Sequence, residues 1–219
     1  MVIKEISKLC QRRRTAVIYD DYCRRTQWIS DERTFYPTFG LPKLDTETLP
    51  YVLDIPEGKQ AKMLFDRNVD LPDQLNFSDY DDTERVLPRA GATVGFRNEV
   101  FLPVRTSLGL MFIDPEQLKP LKDIEAEIEL YERMAKNGEP YIVAKRGLEL
   151  KAVILPIYQG EPLLEELETL TKELSASISR RKMMEQVDPE TGEVREEHLE
   201  DDNGVRELGP LPALRATSP

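Results

Sequence analysis

One punctuation pattern constrains the fold more than any other feature of this chain, because it occurs twice. Phe-x-Pro followed by Gly-Leu-x-x-[Leu/Ile]-Asp-x-Glu-x-Leu runs through Phe35, Pro37, Gly40, Leu41, Leu44, Asp45, Glu47 and Leu49. It recurs through Phe101, Pro103, Gly109, Leu110, Ile113, Asp114, Glu116 and Leu118, with three extra residues between the two blocks. Each copy reads as a strand, a glycine break, a short apolar run and a helix start. The Asp serves as N-cap and the Glu sits in the first turn, where the helix dipole favours a carboxylate. Pro115 adds the residue best suited to a first helical position.

Around these copies the pattern predicts an α+β chain of two related antiparallel ββα-containing halves, a further β-hairpin and a long C-terminal helix. In the N-terminal part, residues 1–67, Ile3, Ile6, Leu9 and Cys10 share one helical face over residues 2–12. The β-formers of Thr15–Tyr22, Gln27–Ser30 and Thr34–Tyr36 then predict a three-stranded meander with Trp28 in its core. A short helix follows Asp45, and a second is expected over 57–67.

Residues 68–90, with Pro72, Pro88 and the acidic run from Asp79 to Glu84, read as a long connection between the halves. In the second half, residues 91–184, strands are expected at 93–96, 99–104 and 108–113, with a tight turn at Arg97-Asn98. Helices are expected at 114–120 and 122–136. The second of these rests on Ile124, Ile128 and Tyr131 and on the i, i+4 pairs Glu129/Arg133 and Glu132/Lys136. Arg146-Gly147 marks a hairpin, and Leu163, Leu167, Leu170, Leu174 and Ile178 stripe the last helix.

Charge divides unevenly. Of the net −11, residues 185–219 carry −7, with ten acidic residues against three arginines, which leaves −4 for the rest. That segment, rich also in Gly and Pro, reads as a disordered acidic tail. Two cysteines without a Cys-x-x-Cys pair fit a reducing cytoplasm, the N-terminus lacks the layout of a signal peptide, and no apolar run approaches the ~20 residues of a membrane span.

The single histidine, His198, falls in the tail, so triad, Cys-His and His-ligated metal chemistry have no residues in the rest of the chain. Neither phosphate-loop nor dinucleotide fingerprints occur. Carboxylate chemistry remains open: Asp20, Asp21, Asp31 and Glu32 could converge on a divalent metal beside arginines, or be solvated turn residues. Arg12, Arg13, Arg14, Arg24 and Arg25 form a basic concentration able to meet nucleic-acid phosphates, although acids interleave with it. The basic run Arg180-Arg181-Lys182, between the leucine stripe and the acidic tail, is a candidate protein-partner contact.

The combination Trp28-Ile29-Ser30-Asp31, Phe35-Tyr36-Pro37, Gly40-Leu41-Pro42 and Gly109-Leu110-x-x-Ile113-Asp114 resembles uncharacterised proteins carried by phages and mobile elements of Gram-positive bacteria. The resemblance implies no known activity and supplies no catalytic residues; it points to a host-interaction or replication-accessory role. The reading is a cytoplasmic binding or regulatory protein with a protein partner, no cofactor and no membrane contact. The alternative is a metal-dependent phosphodiester enzyme or nucleic-acid accessory factor.

Overall fold

The computed structural model describes residues 2–68, 70–88, 93–96, 99–157 and 161–185, the last stretch with side chains at 165–181. The chain divides into two compact units, Met1–Leu164 and Glu165–Pro219. It is a mixed α+β protein with one large mixed sheet and a C-terminal helix.

Eight strands form the large sheet. Those from the N-terminal part are β1 (Thr15–Asp21), β2 (Thr26–Ser30), β3 (Thr34–Pro37) and β4 (Leu64–Asn68). After them comes β5 (Arg85–Leu87). The three-stranded sheet of β6 (Val94–Phe96), β7 (Glu99–Thr106) and β8 (Gly109–Ile113) intervenes before β9 (Ile128–Met134), β10 (Pro140–Arg146) and β11 (Glu149–Ile154) complete the large one. Its order is β4-β1-β2-β3-β11-β10-β9-β5. Only β4 runs parallel to its neighbour, β1; β3 joins the two parts of the sheet by pairing antiparallel with β11.

Both faces of this sheet are covered, and the alternation of each strand says by what. Ala16 and Ile18, Ile29, Tyr36, Ile142 and Ala144, and Ala152 and Ile154 face helix α1 (Ile3–Arg13) and the 3₁₀ segment Pro115–Glu127. Their neighbours Trp28, Phe35, Tyr141, Val143 and Val153 pack on the opposite face, where Phe77, Leu71 and Leu75 cover them. A bulge between Ala144 and Lys145 shifts the register opposite β11 by one residue, so Leu150 joins the second face although its parity with Ala152 would place it on the first. Helix α1 is amphipathic as its spacing requires, with Ile6, Leu9 and Cys10 buried, and it ends at Arg14 in a left-handed conformation (φ +59°).

Three expectations are corrected. The helix over 57–67 is a single turn, α3 (Glu57–Gln60), followed by strand β4, because Leu64–Asn68 finds a partner in β1. The helix over 122–136 is a strand from Ile128: β10 pairs with it residue for residue from Ile128↔Arg146 to Met134↔Pro140, and a ladder of that length overrides the local helix signals. Residues 68–90 are not a loose link between halves. They lie within the first unit, and residues 71–84 strap the second face of the sheet.

The repeated motif shares its local chemistry in both copies. Gly40 and Gly109 both have positive φ (+80° and +117°), and the Asp45 and Asp114 side chains both accept from backbone N–H groups two residues on. Only Asp114 abuts its helix, with a reciprocal capping box to Gln117; Asp45 lies four residues ahead of α2 (Leu49–Val52). Phe35 lies in the large sheet and Phe101 in the small one. The Arg97-Asn98 turn, His198 and the tail from 186 onward lie outside the described residues. The long helix α4 (Glu161–Glu185) has the extent expected of it, and no helix among the described residues is long and apolar enough to cross a membrane.

Candidate functional site

At the tip of the β1–β2 hairpin a groove of about 420 Å³ opens between the 22–25 turn and the 38–43 loop. Its geometry is built on Gln27. The Gln27 side-chain amide donates to Asp20 Oδ1 (2.7 Å) and to the Leu44 carbonyl (3.0 Å), while its Oε1 accepts from Leu44 N–H (2.7 Å). The Gln27 backbone carbonyl accepts from both the N–H (2.8 Å) and the hydroxyl (2.9 Å) of Thr38. One residue therefore fastens both ends of the 38–44 loop to β2, and Gly40, with its positive φ, lets the loop reverse between the two anchors.

The opposite wall is held equally firmly. Asp21 accepts from Arg24 N–H (3.0 Å) and from the indole N–H of buried Trp28 (3.3 Å). Arg67 donates to Asp20 Oδ2 from both Nε (3.1 Å) and Nη2 (2.5 Å). Burial works against ionising Asp20, but the hydrogen bonds from Arg67 and Gln27 outweigh it and hold the carboxyl below the usual Asp range. Both carboxylates are thus hydrogen-bonded and part of the floor.

What faces solvent is of another kind. Tyr22 (63% exposed) and Phe39 (47%) stand on the rim, beside the exposed cations Arg25 and Lys43, neither of which has an ion pair among the described residues. Arg24 also lines the groove but is paired with Asp79 (3.1 Å).

The four candidate metal ligands do not converge. Asp20 lies opposite Gln27 at the hairpin tip, whereas Ser30, next to Asp31, lies opposite Val17 at the far end. At ~3.3 Å per residue even the nearest members, Asp20 and Asp31, are roughly 13 Å apart along the strands. Asp31 is engaged by Arg13 (2.9 Å) and caps its own turn by accepting from Arg33 and Thr34 N–H. No group of three or more His, Cys, Asp or Glu able to hold a metal occurs among the described residues. The acidic run of the strap is structural too: Asp81 accepts from Thr83 and Asn76, and Asp79 from Leu150 N–H.

The basic candidates are likewise divided. Arg12 pairs with Asp114 and Arg13 with Asp31 across a wider cleft of about 990 Å³ between α1, the β2–β3 turn and β7. Arg14 makes no ion pair among the described residues, and only Arg24 and Arg25 line the hairpin groove. Arg180 and Arg181 are exposed on α4, and the Lys182 side chain lies outside the described residues. Sequence reasoning missed Tyr22, Gln27, Phe39 and Lys43. The available signal was an aromatic just before each turn, Tyr22 before Arg24-Arg25 and Phe39 before Gly40.

No family model, no curated protein and no solved structure matches this chain.

Proposed function

We propose that this chain is a non-catalytic binding protein and that the hairpin groove takes an acidic peptide segment of a protein partner. One observation carries the reading: two exposed aromatic rings and two exposed cations, neither ion-paired among the described residues, share the rim of a groove whose walls are fixed by the Gln27 and Asp21 hydrogen bonds. Aromatic rings contribute contact area with few rotamers to freeze, and rim cations steer a negatively charged partner into register. A wall held before binding avoids the ordering cost that a mobile loop would incur.

Single-stranded nucleic acid uses the same two features, stacking and phosphate pairing. The net charge of −11 and the two carboxylates in the floor oppose a long polyanion more than a short acidic segment. The metal-dependent phosphodiester reading would need Asp20, Asp21, Asp31 and Glu32 together, and their separation argues against it. A cytoplasmic setting and a host-interaction or replication-accessory role belong to the same proposal and rest on residue pattern.

The test is titration of the chain with a Glu/Asp-rich peptide and, separately, with an oligo-dT strand, for wild type and for Arg25→Glu/Lys43→Glu. Salt-sensitive peptide binding that is lost in the double variant is the expected result. Tighter binding of oligo-dT, lost in the same variant, would transfer the groove to nucleic acid. Peptide binding that the variant leaves intact would remove the groove from the function.

A further inference from the structure

Helix α4 carries an apolar stripe that its own turns cannot cover. Leu170, Leu174 and Ile178 are 54%, 62% and 50% exposed, on a 25-residue helix. Leu167, Leu170 and Leu174 repeat with the three-and-four spacing of a coiled-coil seam, which buries such a stripe against a second helix. The charges around the stripe are segregated along the helix. Glu161, Glu165, Glu166 and Glu168 crowd its first half, and Arg180, Arg181 and Lys182 its last turns.

We infer that α4 is a self-association element that pairs antiparallel with α4 of a second copy of this chain. The charge segregation selects both occupant and orientation. In a parallel pair the acidic first halves of the two helices would stand at the same height and the basic ends likewise, although of the four glutamates only Glu166 borders the leucine seam. Reversing one helix sets each acidic end against a basic end. With Leu170 facing Leu174 of the second copy and the reverse, Leu167 falls opposite Ser177, a small residue that fits beside it. In that register Glu166 and Arg180 flank the seam at matching heights, so the two-fold symmetry makes the pair twice. Glu173 meets its own copy near the axis, which limits affinity and makes the association weak and concentration-dependent. This inference does not depend on the hairpin groove.

Sedimentation equilibrium of the full chain across a wide concentration range tests it. The expected result is a reversible monomer–dimer equilibrium that Leu170→Glu/Leu174→Glu abolishes. Both leucines are exposed, so circular dichroism of that variant should match wild type, and a dimer that survives the change would place the interface elsewhere. Orientation is read from a charge cycle. Glu166→Arg and Arg180→Glu should each weaken the dimer roughly 3–10-fold, since each sets two like-charge contacts in place of two ion pairs, and the double reversal should restore it. In a parallel pair these positions do not meet, so single reversals without effect would overturn the antiparallel arrangement. A monomer at every concentration would overturn the proposal outright and assign the stripe to a different protein or to another surface of the same chain.

Discussion

Arg133 grips Glu84 with two nitrogens, Nε at 2.9 Å and Nη2 at 2.6 Å, and does so fully buried. The remaining guanidinium donors reach the carbonyls of Asn76 and Ser78 through Nη1 and of Asp79 through Nη2, so one side chain from β9 ties down the whole 76–84 strap. Lys145 completes the centre: its ammonium meets the other Glu84 oxygen at 2.5 Å and lies 4.9 Å from the centre of the Tyr131 ring. One carboxylate thus serves two buried cations.

That imbalance gives the first prediction. Glu84→Gln leaves two buried cations facing a neutral amide and should cost about 3–5 kcal/mol of unfolding free energy, as removal of one member of a buried charge network does. Adding Lys145→Met should recover part of the loss, because it removes one of the two stranded charges. Urea unfolding of the three proteins checks this, and a double variant less stable than Glu84→Gln would show that Lys145 does not act through Glu84.

Gln27 supports a second prediction. Gln27→Ala deletes the amide that joins Asp20 to both backbone groups of Leu44 and leaves Asp20 with Arg67 alone. The expected loss is about 1–3 kcal/mol, the range for leaving buried polar groups unpaired. The structural consequence should be local, so hydrogen exchange ought to accelerate in residues 38–44 and stay unchanged in β9–β11. Uniform acceleration would mean that the amide supports the fold as a whole rather than the groove wall.

Much of this architecture was legible in the sequence where local pattern and tertiary pairing agree. The α1 stripe, the β1–β3 meander, the β10–β11 hairpin and the extent of α4 all follow from periodicity and turn residues. Residues 128–134 were not legible because Glu132 and Arg133 look like solvent-facing helix charges, and their real partners, Arg85 and Ser107 for the first and Glu84 for the second, are distant in sequence. The strap failed for the same reason. Its Pro and Asp residues describe a segment without repeating structure, and what orders it are partners far along the chain, Arg133, Tyr141, Lys145 and Leu150. The groove was half visible: Arg24 and Arg25 stood out as charges, whereas Gln27, Tyr22 and Phe39 acquire meaning only once β2 brings residue 27 beside residues 38 and 44.

Thiol reactivity should separate the two cysteines. Cys10 is fully buried and its thiol is pushed well up by burial, with Asp31 adding to the effect, while Cys23 is exposed in the hairpin turn. A native chain should therefore release one equivalent of chromophore with Ellman's reagent, and two in denaturant. Protection of Cys23 by the acidic peptide would in addition link the groove to its ligand, since the turn that carries Cys23 also carries Tyr22 and Arg25.

The last prediction concerns acid. Asp20 and Asp81 are both held below the ordinary carboxylate value although burial opposes their ionisation; Arg67 and Gln27 stabilise the first, Thr83 and Asn76 the second. A group whose folded pKa is depressed stabilises the native state above its unfolded value, and that contribution is lost as pH falls through the folded one. Stability should accordingly hold near neutrality and decline between about pH 5 and pH 2, where the unfolded chain takes up protons that the native aspartates refuse. Asp20→Asn should lower stability at neutral pH, since Arg67 loses its anion, yet show a shallower decline in acid. Urea midpoints measured across that range for both proteins decide it: parallel acid limbs would show that Asp20 titrates normally in the folded chain and that its bonds to Arg67 and Gln27 do not favour the carboxylate.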